Sequence, residues 1–127
     1  MTLDISIILP AKNEAESLQQ LLPTLREHFP EEEILVVNDG STDSTVEVCE
    51  QHGVSVVSHV YSMGNGAAIK TGARNATRSI LVFMDADGQH TPADITRLLD
   101  KFDEGYDMVV GARHLDSHAS LTRRIGN

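Results

Sequence analysis

Residues 33–53 have the sequence EILVVNDGSTDSTVEVCEQHG, which contains one complete strand, loop and helix. The run Glu33–Val37 is short, apolar and rich in Val and Ile, as expected of a strand that is covered on both faces. A polar loop then leads into a helix predicted from Asp43 to His52, which Gly53 closes. Because strands that alternate with helices build parallel sheets, this unit predicts an α/β fold.

The same alternation continues on both sides of this unit. Further strands are predicted at Ile5–Leu9, Val54–Val57, Ile80–Met84 and Met108–Val110. Three further helices are predicted. The first has a buried face of Leu18, Leu21, Leu22 and Leu25. The second spans Gly66–Ala76 and has a face of small residues (Ala68, Gly72 and Ala76), and the third follows Thr91 and has a buried face of Ile95, Leu98, Leu99 and Phe102. Asn13 and Glu16 are placed to cap the first of these helices. We therefore expect one domain over residues 1–127, with a parallel sheet and right-handed crossovers.

Composition excludes several classes of function. The net charge of -9 argues against nucleic acid as a partner, because affinity for nucleic acid rests on Lys and Arg. No apolar run reaches the length of a membrane span. The single cysteine, Cys49, cannot form an internal disulfide and favours a reducing compartment, the cytoplasm. The chain stops within a predicted element, so we expect it to be part of a longer protein. The sequence leaves open whether that protein forms a homo-oligomer.

Polar residues, with Pro and Gly among them, follow the predicted strands, at the carboxyl ends where open parallel sheets bind ligands. They are Pro10, Lys12, Asn13 and Glu14 after the first strand, Asn38, Asp39, Gly40, Ser41 and Thr42 after the second, Asp85, Asp87, Gly88, Gln89 and His90 after the fourth, and Gly111 and Arg113 after the fifth. A lone carboxylate at such a place is typical of a helix cap, which accounts for Asp39 or Asp43 taken singly. Several strand ends with such residues predict a binding site.

Asp85 and Asp87 predict a metal site. Residues i and i+2 that leave a strand can point toward the same space, and two carboxylates there repel unless a cation or proton intervenes. Oxygen ligands suit Mg²⁺ or Mn²⁺, and Gln89 supplies a further neutral oxygen. The alternative is an acidic loop that caps the next helix, but Thr91 already serves as that cap.

Gly64-Asn65-Gly66 precedes a predicted helix. This segment either cradles a phosphate at the helix N-terminus or forms a tight turn that lines the site. Its spacing matches neither a dinucleotide-binding fingerprint nor a P-loop.

Together these stretches resemble family 2 glycosyltransferases of the GT-A type, and among them the dolichol- or polyprenol-phosphate sugar synthases. The matching stretches occur in the family's order and are Ile8–Glu14, Val36–Asp43, Gly64–Gly66, Asp85–His90 and Gly111–Arg113. The resemblance implies a Rossmann-like domain that binds a nucleotide sugar, with a mainly parallel sheet flanked by helices.

The resemblance also implies roles for single residues. Those expected at the nucleotide are Pro10, Asn13, Glu14, Asn38, Asp39, Gly66 and Asp85, with Pro10, Asn13, Glu14 and Asp39 on the base and ribose. Asp85, Asp87 and Gln89 would surround the metal, and Arg113 would reach the acceptor phosphate or the donor sugar. Asp85, Asp87 and Arg113 form the expected catalytic set. Asn38 stands where the family often has a second Asp, which bears on base selectivity.

The implied reaction is inverting transfer of a sugar from a GDP- or UDP-sugar to an acceptor, expected to be a polyprenyl or dolichyl phosphate. A lipid phosphate is already ionised near neutral pH and needs no general base, and no candidate base stands out. The metal would offset charge on the departing diphosphate. The basic residues Arg113, Arg123 and Arg124 mark either the approach to a phosphate or anionic membrane, or an exposed helix start.

Two other functions remain as alternatives. A non-catalytic module that binds nucleotide sugars would share the donor site. The stretch Leu81–Gly88 also resembles the first motif of haloacid-dehalogenase-type phosphatases, in which the first Asp is the nucleophile. That motif usually lies at the chain start and continues with Thr, whereas this one lies two-thirds along the chain and continues with Gln89.

Overall fold

The computed structural model describes residues 4–86, 108–110 and 120–123. The elements are β1 (Ile5–Ala11), α1 (Ala15–His28), β2 (Glu33–Asp39), α2 (Thr45–Gln51), β3 (Ser55–His59), α3 (Asn65–Asn75), β4 (Ile80–Phe83), β5 (Met108–Val110) and β6 (Ser120–Arg123). The predicted strands and the first three predicted helices are confirmed, with ends shifted by a few residues. The fourth predicted helix, after Thr91, lies outside the described residues.

The strands form one sheet in the order β3-β2-β1-β4-β6-β5. β1 pairs in parallel with β2 and β4, and β2 pairs in parallel with β3. β6 is antiparallel to both of its neighbours, so the sheet is mainly parallel, as predicted, and the alternative of a helix start at Arg123 is wrong. Ser120–Arg123 contains a single apolar residue, Leu121, and so lacks the continuous apolar run of the other strands.

The two faces of the sheet carry different helices. Ile7 and Leu9 of β1 pack in the cluster that includes the buried leucines of α1 and Val48 of α2. Ile8 points the other way, into the cluster with Ala68 of α3, because successive strand side chains alternate between faces.

Small residues let α3 approach the sheet closely. Ala68 and Ala76 are buried, and a Cβ added at Gly72 would lie 2.5 Å from Cγ2 of Ile8 and 3.3 Å from Cγ2 of Val37. The predicted small-residue face of this helix is confirmed.

The strand order places a crevice at the carboxyl end of β1. The chain runs outward from β1 through β2 to β3, and then α3 carries it back across the sheet to β4 on the other side of β1. In open α/β sheets, ligands bind where the strand order reverses in this way. No helix in the described part of the chain is long and apolar enough to cross a membrane.

Candidate donor site at the carboxyl edge

A cleft of about 260 Å³ opens at the carboxyl edge of the sheet, beside β1 and β2. We call it the carboxyl-edge cleft. Its lining residues come from the end of β1, the end of β2, the connection to α3 and the start of α3, and they are Pro10, Ala11, Lys12, Asp39, Ser62, Gly64, Asn65 and Ala68. Stretches some 50 residues apart in sequence therefore meet around one cavity, as the polar strand ends predict.

Asp39, the last residue of β2, holds the connection between β3 and α3. Its side chain is buried, and its Oδ1 accepts hydrogen bonds from His59 Nδ1 (2.8 Å) and the Met63 backbone N–H (2.7 Å). Its Oδ2 accepts from the Ser62 hydroxyl (3.0 Å) and the Gly64 backbone N–H (3.0 Å). We call residues 60–64 the β3–α3 loop. Asp39 does not cap the helix that follows it in sequence.

These hydrogen bonds set the charge state of Asp39. Burial raises the pKa of a carboxyl, but the bonds from His59, from the Met63 and Gly64 amides and from Ser62 favour the charged form more strongly. The result is a pKa lowered to about 2. Asp39 is therefore an anion at neutral pH, with its charge compensated by protein donors.

His59 links Asp39 to α3. It is the last residue of β3 and lies directly opposite Asp39 in the β2–β3 register. Its Nε2 lies 2.7 Å from the Thr71 hydroxyl oxygen. Because the Asp39 carboxylate can only accept, Nδ1 of His59 must carry a proton. The sequence alone does not indicate a role for His59, because its position opposite Asp39 depends on the strand register.

Gly40 lets the backbone of the β3–α3 loop pack closely against the end of β2. Gly40 has a φ of +70°, and a Cβ there would lie 2.5 Å from the Ser62 nitrogen and 2.8 Å from the Tyr61 carbonyl carbon. Both atoms belong to the backbone, so the loop could not adapt by moving a side chain. The large apolar side chains of Val60, Tyr61 and Met63 on this loop are exposed.

Asn13 joins two loops of the same edge. It has a φ of 57°, its Oδ1 accepts from the Thr42 N–H (2.8 Å), and its own N–H donates to Ser41 Oγ (2.9 Å). The prediction that Asn13 caps α1 is wrong, because no side-chain cap bond forms at that helix start. Instead the Ala15 N–H donates to Asp43 Oδ2 at 3.2 Å.

Asp43, in the loop before α2, and Thr45, the first residue of α2, thus accept hydrogen bonds from the backbone at the start of α1. The Glu14 N–H donates to Thr45 Oγ1 at 3.3 Å, and the Thr45 hydroxyl and N–H donate to Asp43 Oδ1. Burial opposes ionisation of Asp43, but the bonds from Thr45 and Ala15 outweigh it and lower its pKa. The resemblance assigns Asn13 and Glu14 to the nucleotide. Hydrogen bonds to the loop after β2 and to the start of α2 hold the backbone of both residues in place.

Asn38 and Gly66 lie near the cleft but do not line it. Asn38 is buried in β2, where its Nδ2 donates to Ser58 Oγ (3.1 Å) and its Oδ1 accepts from the Ser41 N–H (3.0 Å). Gly66 is the second residue of α3, and its neighbours Gly64 and Asn65 line the cleft instead.

Asp85 follows β4 at the same edge, on the other side of β1. The Met84 N–H donates to the Ile8 carbonyl at 3.0 Å, which ties the end of β4 to β1. Asp87, Gln89 and Arg113 lie outside the described residues, so only Asp85 of the expected metal ligands is located. Within residues 4–86, no group of three His, Cys, Asp or Glu side chains is arranged to hold a metal ion. The oxygen chemistry of Asp85, Asp87 and Gln89 fits Mg²⁺ or Mn²⁺.

A solved structure defines the class of this fold. The chain superimposes on a mannosyltransferase from Pyrobaculum calidifontis, in complex with GDP-Man and Mn²⁺, with a TM-score of 0.81 and 20% identity. The match covers 95% of this chain and 44% of that one. The fold is the Rossmann-like GT-A fold of glycosyltransferases, as the sequence predicts.

The family follows from sequence. The profile of glycosyl transferase family 2 matches residues 6–126, and the chain belongs to that family. A polyprenol monophosphomannose synthase of Mycolicibacterium smegmatis is 36% identical over 118 residues, covering 86% of this chain and 44% of that protein. An undecaprenyl-phosphate 4-deoxy-4-formamido-L-arabinose transferase of Salmonella choleraesuis is 35% identical over 130 residues, covering 94% of this chain and 39% of that protein. The chain thus spans less than half the length of these two relatives.

Proposed function

We propose that this chain is the donor-binding part of an inverting glycosyltransferase that transfers a sugar from a GDP- or UDP-sugar to a polyprenyl phosphate. The observation that carries the proposal is the carboxyl-edge cleft. It is lined by the motif stretches around Pro10, Asp39 and Gly64, and Asp85 follows the strand beside β1. Two relatives, the polyprenol monophosphomannose synthase and the undecaprenyl-phosphate 4-deoxy-4-formamido-L-arabinose transferase, support a polyprenyl phosphate as the acceptor.

The donor would enter this cleft with its nucleoside toward the ends of β1 and β2. In this proposal Pro10, Asn13, Glu14, Asn38 and Asp39 shape the nucleoside site, and Gly66 lies at the phosphate side. Lys12 lines the cleft and brings a positive charge to the edge of a chain whose net charge is -9. An anionic ligand needs such a local cation.

Asp85, Asp87 and Gln89 would hold Mg²⁺ or Mn²⁺ on the diphosphate. When bound, the ion offsets the negative charge that develops on the departing nucleoside diphosphate. The structure of the Pyrobaculum calidifontis mannosyltransferase contains GDP-Man and Mn²⁺, which supports the use of a divalent ion by proteins of this fold. Arg113 is proposed to meet the acceptor phosphate or the donor sugar.

The acceptor would react without a general base. A phosphate oxygen of the lipid forms a bond to the anomeric carbon, while the bond from that carbon to the diphosphate oxygen breaks on the opposite face. The configuration at the anomeric carbon inverts, and the electron pair of the broken bond leaves on the nucleoside diphosphate. Because the acceptor lipid lies in a membrane, we place the full-length protein at the cytoplasmic face of a membrane.

A transfer assay on the full-length protein tests this proposal. GDP- and UDP-sugars are offered with a polyprenyl phosphate and Mn²⁺, and the expected products are a lipid-linked sugar and the nucleoside diphosphate. Asp85→Asn should lower the rate by about 100-fold or more, because charge stabilisation at the leaving group is lost. Glu47→Gln, at an exposed acid of α2, is the matched control and should keep full activity.

Two results would contradict the proposal. Binding of a nucleotide sugar without transfer to any lipid phosphate would point to the non-catalytic module. Phosphorylation of Asp85 by a phosphate ester would point to the phosphatase chemistry instead.

A further inference from the structure

We infer that His59 is a positioning residue of the carboxyl-edge cleft, and that Asp39 and His59 act on the donor by holding the β3–α3 loop in place. The donor part of this inference rests on the proposed function. The loop part rests on contacts within the chain alone. Neither residue needs to touch the donor for this role.

The hydrogen bonds of Asp39 carry the first step. A carboxylate offers about four lone-pair positions. Asp39 receives four donors, two on each oxygen: His59 and the Met63 amide on Oδ1, and Ser62 and the Gly64 amide on Oδ2. Any nucleobase N–H that reached this carboxylate would have to displace one of these donors.

The loop itself carries the second step. Ser62 and Gly64 line the cleft, and both donate to Asp39 Oδ2. Gly40 backs the loop at a distance that leaves no room for a Cβ, so the loop cannot retreat toward β2. The position of this wall of the cleft is therefore set by Asp39 from one side and by Gly40 from the other.

His59 carries the third step, because it fixes Asp39 relative to α3. Its ring spans from Asp39 Oδ1 (2.8 Å) to Thr71 Oγ1 (2.7 Å), and its side chain is only 9% exposed. Asn65 and Ala68, which also line the cleft, belong to the same helix as Thr71. The chain Asp39–His59–Thr71 thus ties two walls of the cleft together.

Two substitutions of His59 separate its two contacts. In His59→Asn the amide nitrogen takes the place of Nδ1 and keeps the bond to Asp39. In His59→Gln the longer amide reaches toward Thr71 and gives up the bond to Asp39. Thr71→Val removes the other contact with little change in shape, and His28→Ala, at an exposed histidine of α1, is the control.

Amide hydrogen exchange of the chain without ligand is the first readout. We expect His59→Gln to lower the protection of the Met63 and Gly64 amides by at least about tenfold relative to the core of β1, because their acceptor loses its anchor. His59→Asn should rescue protection to within about threefold of the parent chain. Thr71→Val should fall between the two, and His28→Ala should change nothing. Unchanged protection in His59→Gln, or a loss that His59→Asn does not rescue, overturns the inference.

Binding of GDP and UDP to the same variants is the second readout. If the loop is positioned for the donor, His59→Gln lowers the affinity for the nucleotide that the parent chain binds by about tenfold, and His59→Asn restores it. Loss of loop protection without loss of affinity overturns the donor part. If the parent chain binds neither nucleotide while His59→Gln still loses protection, the proposed function fails and the loop role stands.

Discussion

The two edges of the sheet both contain a carboxylate that accepts several hydrogen bonds, but its partners differ between the edges. At the amino edge, the Ser6 hydroxyl and the Thr77 N–H both donate to Glu33 Oε1, at 2.6 Å and 2.8 Å, and the Arg78 N–H donates to Ser6 Oγ at 3.2 Å. At the carboxyl edge, Asp39 collects its donors in the same way but from a loop that lines a cleft of about 260 Å³. A carboxylate at a strand end joins neighbouring segments in both places.

The difference lies in what the joined segments enclose. At the amino edge Glu33 ties the start of β2 to β1 and to the segment that leads into β4. At the carboxyl edge the β3–α3 loop passes over Gly40, where the lack of a side chain permits close backbone contact, and it leaves space beside Pro10 and Lys12. At the carboxyl edge the polar cluster borders the cleft that we propose as the ligand site.

The largest expected effect comes from Gly40→Ala. The substituted chain must open the contact with the Ser62 and Tyr61 backbone and also hold alanine at a positive φ. We expect a loss of about 3–5 kcal/mol in the free energy of unfolding, measured in urea. Gly53→Ala is the control, since Gly53 has a φ of +66° with nothing within 4 Å of a Cβ. It should lose only about 1–2 kcal/mol. Equal losses at the two glycines would contradict the close packing of the β3–α3 loop against Gly40.

Asp39→Asn is expected to cost about 2–3 kcal/mol, because one oxygen becomes an amide nitrogen and leaves buried donors without an acceptor. Glu33→Gln at the amino edge should cost only about 1 kcal/mol, because both donors bond Oε1, which the amide oxygen can replace, and only the charge of the acceptor is lost. Nucleotide affinity separates the edges, since Asp39→Asn should weaken it by tenfold or more and Glu33→Gln should leave it unchanged. Equal effects on affinity would remove the functional distinction between the two edges.

Acid should weaken the parent chain more than the Asp39→Asn variant. The pKa of Asp39 falls from 3.8 to about 2 on folding, so its contribution is fully present above about pH 4 to 5 and is lost as the pH falls toward 2. Over this window the parent chain should lose about 2 kcal/mol that the variant does not lose. Urea unfolding at pH 5, 4, 3 and 2 measures the difference, and parallel curves would show that Asp39 is not held as an anion.

Gly66→Ala should have the smallest effect and the opposite sign. Gly66 lies in α3, and a Cβ there would meet nothing within 4 Å. Alanine is the better helix former, so the free energy of unfolding should rise by up to about 1 kcal/mol. Thermal or urea unfolding checks this expectation. A loss of stability would mean that the start of α3 is more crowded than the structure shows.

Much of the fold follows from sequence because its signals are local. The continuous Val- and Ile-rich strands and the face of Ala68, Gly72 and Ala76 give the parallel sheet and its close helix without reference to distant residues. The carboxyl-edge cleft also lies where the sequence predicts a site, since the carboxyl ends of parallel strands meet at one edge, and the site itself stays a prediction.

The details of the site depend on register, which a local pattern does not contain. His59 acquires its role only by lying opposite Asp39 across two strands, and Asn13 braces a loop some 30 residues away rather than its own helix. β6 does not follow from such local signals, because Ser120–Arg123 contains only one apolar residue, Leu121. The roles predicted for Asp87, Gln89 and Arg113 lie outside the described residues and stay predictions.

The central claim is that the carboxyl-edge cleft receives a nucleotide donor. Titration of the isotope-labelled chain with GDP and with UDP in Mg²⁺, followed by the NMR shifts of its backbone amides, tests it most directly. We predict saturable shifts at Lys12, Gly64 and Asn65 with at least one nucleotide, and none at residues 77–79 of the amino edge. Shifts confined to the amino edge, or no saturable shift with either nucleotide, would contradict the claim.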